Sequence, residues 1–179
     1  MRRSFLYPLA AIVTAAPAAI AQTTATTTAT SNATTTATFP SARLALRIEP
    51  AFGVSGGHFY NQLAGARVDA RFTDEVALGA YLGYANLKGQ EGRAHDVLPA
   101  LELEYRPTLG ASRAFGLPLR FATGYLPENG PVLRLSLGIS YAVTPKFDLV
   151  LDAFTPTFWV IRDRTVVSLG AALEASWAP

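Results

Sequence analysis

From Leu44 to Trp177 apolar and polar residues alternate with a period of two, in eight stretches separated by turn-forming residues. Such alternation marks a strand whose two faces meet different surroundings. The most regular stretch is centred on residues 133–142: Leu133, Leu135, Leu137, Ile139 and Tyr141 alternate with Arg134, Ser136, Gly138, Ser140 and Ala142. The same pattern predicts strands over about 43–54, 66–72, 76–86, 97–106 and 115–125, one beginning at Phe147 and running to about 153, and a last one over about 165–177. Pro99 lacks a ladder donor, so a bulge or strand end is expected there. The shorter connections fall at 73–75, about 107–114 and 144–146; segments at about 55–65, 87–96, 126–131 and 156–164 are expected to be loops at the opposite ends.

Alternation alone does not say which face is inside. A soluble barrel turns its apolar face inward, and a membrane barrel turns it to lipid. The polar face decides, because it is dominated by Gly, Ala and Ser interspersed with nearly balanced charges. Arg47, Arg67, Arg71, Arg106, Arg120 and Arg134 stand against Glu49, Asp69, Glu102, Glu104, Asp148, Asp152 and Glu174. Small side chains and pairing charges suit a narrow interior, where an arginine can grip a carboxylate with two hydrogen bonds. The two lysines, Lys88 and Lys146, lie outside these predicted strands. The apolar face carries no charge within them, as expected where a mid-bilayer Lys or Arg costs roughly 2–4 kcal/mol. Aromatic residues on that face gather near the strand ends. Phe72, Tyr105, Phe115, Tyr141, Phe147 and Trp177 mark one end, and Phe52, Tyr84 and Tyr125 the other. Two aromatic girdles belong at the two interfaces of a bilayer. The fold class is therefore all-β: an eight-stranded antiparallel up-and-down transmembrane β-barrel.

Composition agrees with this reading. Half of the 179 residues are hydrophobic, yet no apolar run approaches the roughly 18 residues of a spanning helix. With no cysteine in the chain, disulfides and thiolate metal sites are excluded. Residues 1–21 read as a secretory signal peptide, with Arg2 and Arg3 ahead of an apolar core and Ala19-Ile20-Ala21 as the cleavage site. Residues 22–42, almost all Thr and Ala up to Thr38, have little to bury and read as a flexible linker. The barrel domain then occupies 43–179. The formal charge is +2; without Arg2 and Arg3 it is zero, and no basic patch points to nucleic acid.

From about Arg43 to Trp177 the chain resembles the eight-stranded outer-membrane barrels of the OmpA, OmpX and opacity-like kind. The resemblance is architectural. Val167 to Trp177 also resembles the C-terminal signal read by the barrel-assembly machinery, with Trp177 as its aromatic and Ala178-Pro179 following. It implies a bacterial outer-membrane location, lipid and lipopolysaccharide as surroundings, and a structural or surface-interaction role with an unnamed surface partner. A small channel or transporter is the alternative.

Catalytic chemistry is sparse. His58 and His95, the only histidines, fall in predicted outer loops. Ser55 and Asp96 lie near them in sequence, so a serine–histidine–carboxylate site for lipid modification is conceivable. No motif supports it, and the chain is expected not to be an enzyme and to hold no metal or cofactor. Gly53 to Gly57 is glycine-rich but lacks the helix and lysine of a phosphate loop. His58-Phe59-Tyr60 and Phe158-Trp159 are expected as loop residues apolar enough to touch headgroups or a partner.

Overall fold

The structure is a computed structural model that describes residues 42–55, 60–89, 92–110, 113–127, 129–161 and 164–179. The predicted signal peptide and linker lie outside these residues, except for Ala42.

The described residues form ten strand segments: β1 (Ala42–Gly53), β2 (Tyr60–Arg71), β3 (Val76–Gly89), β4 (Gly92–Tyr105), β5 (Thr108–Leu109), β6 (Phe115–Gly116), β7 (Leu119–Leu126), β8 (Gly130–Thr144), β9 (Phe147–Ile161) and β10 (Arg164–Trp177). They make eight staves of a closed antiparallel barrel in sequence order, with β1 pairing with β10 to shut the ring. Closure leaves no sheet edge around the middle of the wall, while the far part of β4, before Ala100, extends past its partner β7. The short β5 prolongs the β4 stave. Segments β6 and β7 form one stave interrupted at Leu117-Pro118, and β8 keeps the same register across the gap, from Gly116 opposite Ser140 to Leu119 opposite Leu137. Proline cannot donate to the ladder, but the Pro118 carbonyl still accepts from Gly138 N–H at 3.1 Å.

The apolar face points outward. Leu135, Leu137 and Ile139 are 43%, 50% and 55% exposed, whereas Arg134, just before Leu135, is 4% exposed and faces the lumen. Phe52, Tyr84 and Tyr125 are exposed at one end of the wall, and Phe72, Tyr105, Phe115 and Tyr141 at the other.

At the end away from the start of β1 the strands run further than the alternation predicts. Strand β2 begins at Tyr60 rather than Ala66, β3 and β4 run to Gly89 and from Gly92, and β9 continues to Ile161. The longest strands have 15 residues, beyond the roughly 9–11 needed to cross a bilayer. The predicted loops at 87–96 and 156–164 are therefore mostly strand. Pro99 forms no bulge: it stands opposite Leu82 in unbroken register, and the ladder with β7 begins at the next residue, Ala100.

A bulge lies instead in β9. Gly138 of β8 faces Asp152 while Leu137 faces Phe154, and on the other side Ala172 faces Asp152 while Gly170 faces Thr155. Ala153 and Phe154 are both exposed. The extra residue reverses the facing pattern, as a bulge must. Even-numbered Val150 and Asp152 point inward before it, and odd-numbered Thr155, Thr157 and Trp159 after it. Gly138 makes room, since a Cβ there would lie 2.4 Å from the Leu151 carbonyl oxygen.

Tight turns close the other end. Thr73 Oγ1 accepts from Glu75 N–H and Val76 N–H at 3.2 and 3.0 Å, and Thr144 Oγ1 accepts from Lys146 N–H at 3.2 Å. These hydroxyls stand in for missing backbone acceptors.

Candidate functional site

The lumen holds two unlike fillings. Around its middle and toward the end where β1 begins lies a network of arginines and carboxylates. Arg47, Glu49, Arg67, Asp69, Glu102, Glu104, Arg106, Arg120, Arg134, Asp152 and Glu174 are buried there, and Arg71 and Asp148 are half-buried near that mouth.

Strand register brings these groups together. Arg47 stands directly opposite Glu174, Arg43 opposite Asp69, and Glu104 opposite Arg120. Small residues face the long ones elsewhere: Ala45 opposite Arg67, Ala122 opposite both Glu102 and Arg134, and Gly79 opposite Asp69 and Glu102. Alternating large and small partners let side chains from opposite walls interdigitate.

Three glutamates are the hubs. Glu102 accepts from Arg47 at 2.8 and 3.1 Å, from Arg67 at 2.6 Å and from Arg134 at 2.9 Å. Glu174 accepts from Arg47, Arg67 and Arg120 at 3.0, 3.0 and 2.8 Å. Glu104 accepts from Arg43, Arg67 and Arg120 at 2.8, 3.0 and 2.8 Å. Asp152 takes Arg120 at 2.6 Å and Glu49 takes Arg134 at 3.0 Å. Shared, multidentate pairing offsets the desolvation of charges buried this deeply.

Arg43, at the edge of the first predicted strand, joins these charges. It is buried and grips Asp69 with two bonds at 3.2 and 3.1 Å, as well as Glu104. It shares parity with Arg47, and that signal alone would have found it. With Arg43 the described lumen holds seven arginines against seven carboxylates.

Beyond this network, toward the opposite end, the filling is apolar. Leu63, Tyr81, Ala85, Leu98, Leu126, Val132, Trp159 and Val166 form one buried cluster. Trp159 is 2% exposed, and its indole N–H donates to Ser168 Oγ at 2.9 Å. It is not the loop residue expected from the sequence; the β9 bulge turns it inward, while Phe158 stays on the outer wall. Tyr81 joins the two fillings. The guanidinium groups of Arg134 and Arg47 lie 5.1 and 5.8 Å from its ring centroid. Its ring is seated over Gly65 and Gly83, where a Cβ would come within 2.7 and 2.5 Å of ring atoms.

Among the described residues, Ser55, His95 and Asp96 do not come together as a catalytic set. His95 lies in β4 rather than in a loop. It stacks on exposed Tyr84 with ring centroids 5.6 Å apart and shares a hydrogen bond with the Tyr84 hydroxyl. Ser55 Oγ instead accepts from Val167 N–H at 3.0 Å, and Asp96 accepts from Val97 N–H at 2.8 Å. His58 and Phe59 lie outside the described residues. Trp177 is half-buried on the outer wall, opposite Leu44 and Phe147.

No protein-family model matches the sequence, and no curated protein does. Among solved structures, the chain is similar to Neisserial surface protein A, with 14% identity over 78% of this chain and 97% of that one, at a TM-score of 0.60. A de novo designed transmembrane β-barrel aligns at 12% identity over 76% of this chain and 98% of that one, with a TM-score of 0.46. The N-terminal barrel domain of Pseudomonas aeruginosa OprF aligns at 14% identity over 75% and 97%, with a TM-score of 0.44. The first of these carries the comparison, and at such identity the likeness is one of fold. The shared architecture is a closed eight-stranded antiparallel β-barrel.

Proposed function

We propose that this chain is an integral outer-membrane protein whose barrel is sealed. In this reading residues 1–21 direct export and are removed, and the barrel-assembly machinery reads the final strand ending at Trp177. The barrel then acts as a rigid scaffold that presents short connections to lipopolysaccharide or a surface partner. One observation carries the reading: the lumen is filled, by seven arginines balanced against seven carboxylates and then by the apolar cluster around Trp159. An ion would have to displace paired charges and then cross a dry plug. Two tests address the two parts. In cell fractionation the chain should enter the outer membrane and migrate faster on gels when unheated. In planar bilayers the purified barrel should give no reproducible conductance steps. Steps of constant size would restore the channel reading.

A further inference from the structure

At the mouth where β1 begins and β10 ends, a cavity of about 350 Å³ opens below the charged network. That volume is at the lower end of small-molecule sites, which span roughly 300–1,000 Å³. Five cationic side chains line it: Arg43, Arg71, Arg106, Arg113 and Lys146. The carboxylates in its wall are Asp74, Glu75 and Asp148. Asp148 is already held by Arg106 at 2.9 Å and Arg43 at 3.4 Å, and Glu75 is engaged by the Tyr105 hydroxyl on the outer wall. Among the lining residues cations outnumber carboxylates five to three, while Arg43 is also held by Asp69 and Glu104 in the network behind it.

Arg106 is the informative member. It is 6% exposed. Its Nη1 donates to Asp148, and its Nε lies 2.8 Å from Glu104 Oε1 but off hydrogen-bonding angle. Nη2 is buried with no hydrogen-bond partner among the described residues, and Nε is met only by the charge of Glu104. A buried donor left without an acceptor is costly, and here the donor belongs to a guanidinium in the wall of a cationic cavity. An anion with several acceptor oxygens answers both needs. A phosphomonoester carries roughly −1.5 to −2 at neutral pH and offers three such oxygens.

We propose that this cavity binds a phosphate group, with Arg106 as the anchoring donor and Arg113 and Lys146 as cations at the rim. The site stands whether or not its mouth faces the periplasm. Phosphate could arrive as a free phosphate compound or as a phospholipid headgroup, and the test separates the two. The refolded full chain, in non-ionic micelles free of phospholipid, is titrated with inorganic phosphate by calorimetry at constant ionic strength. One-to-one saturable binding is expected. It should weaken at least tenfold in Arg106→Gln, and also in the double variant Arg113→Ser, Lys146→Ser. The double variant changes only turn residues, so the test does not depend on Arg106→Gln folding. Adding short-chain phosphatidylglycerol identifies the source: competition assigns the site to headgroups, and binding without competition assigns it to free phosphates. Wild-type chain that shows no saturable binding overturns the proposal. So does binding of undiminished strength in the double variant.

Discussion

The two halves of the lumen solve the same problem by opposite means. Each must fill a narrow tube. The charged half does so with long side chains whose heads neutralise one another, so each arginine is committed to particular partners. Glu102 alone accepts from Arg47, Arg67 and Arg134. The apolar half is held by contact among Leu63, Leu98, Leu126, Val132 and Trp159, where shape matters and pairing does not. The first half should therefore fail abruptly when one member is removed. The second should fail in proportion to the volume lost.

The largest expected effect tests the abrupt half. Glu102→Ala leaves three buried guanidinium groups without their common acceptor, and breaking a buried pair costs about 3–5 kcal/mol. Denaturant unfolding in lipid vesicles should show that loss, and raising ionic strength should change it little, because buried pairs are weakly screened. A loss under 1 kcal/mol would show that the network is not cooperative.

Next is the graded half. Leu98→Ala should cost about 2–3 kcal/mol, toward the lower part of the range for such truncations. A small void beside Leu98, lined also by Leu63 and Val132, gives neighbours room to relax. Combined with Glu102→Ala, the two losses should add within about 0.5 kcal/mol if the halves are independent. A larger coupling would mean that Tyr81, in contact with both, transmits strain between them.

Gly138→Ala should cost about 1–3 kcal/mol through overpacking against the Leu151 carbonyl at the bulge. The bulge sets which β9 residues enter the plug, so this variant should also shift the fluorescence of Trp159, read against the parent with Trp177 replaced by Phe. The smallest effect is expected outside the lumen. Tyr84→Phe removes an exposed hydrogen bond to His95 and should change stability by no more than about 0.5 kcal/mol.

The halves also differ in how far the sequence revealed them. The charged half was legible because charge and parity agree. Arg134 lies between Leu133 and Leu135 in a strand with no bulge over that stretch, so its side could be read directly. Arg43 obeyed the same rule, but it stood at the edge of the predicted strand. The plug was hidden because Leu63, Leu98, Leu126 and Val132 are apolar residues at lumen-facing positions. In a barrel read as apolar outside and polar inside, nothing distinguishes them from lipid-facing residues or loop. Trp159 was hidden for a second reason. The inserted residue at Ala153-Phe154 breaks the period, and Thr155-Pro156-Thr157 then looks like a turn rather than a strand resuming with reversed faces. Fold class survives such errors because it rests on the repeated pattern of all eight staves. The contents of the lumen do not survive them.

The central claim is that the leucine face meets hydrocarbon while its neighbours in sequence face the filled interior. The chain has no cysteine, so single nitroxide labels can be placed by Leu137→Cys and Ser136→Cys in the barrel reconstituted in vesicles. The account predicts that the label at 137 collides freely with dissolved oxygen and hardly with a water-soluble nickel chelate, while the label at 136 shows no such lipid signature. A label at 137 open to the nickel chelate, with the lipid signature at 136, would contradict it.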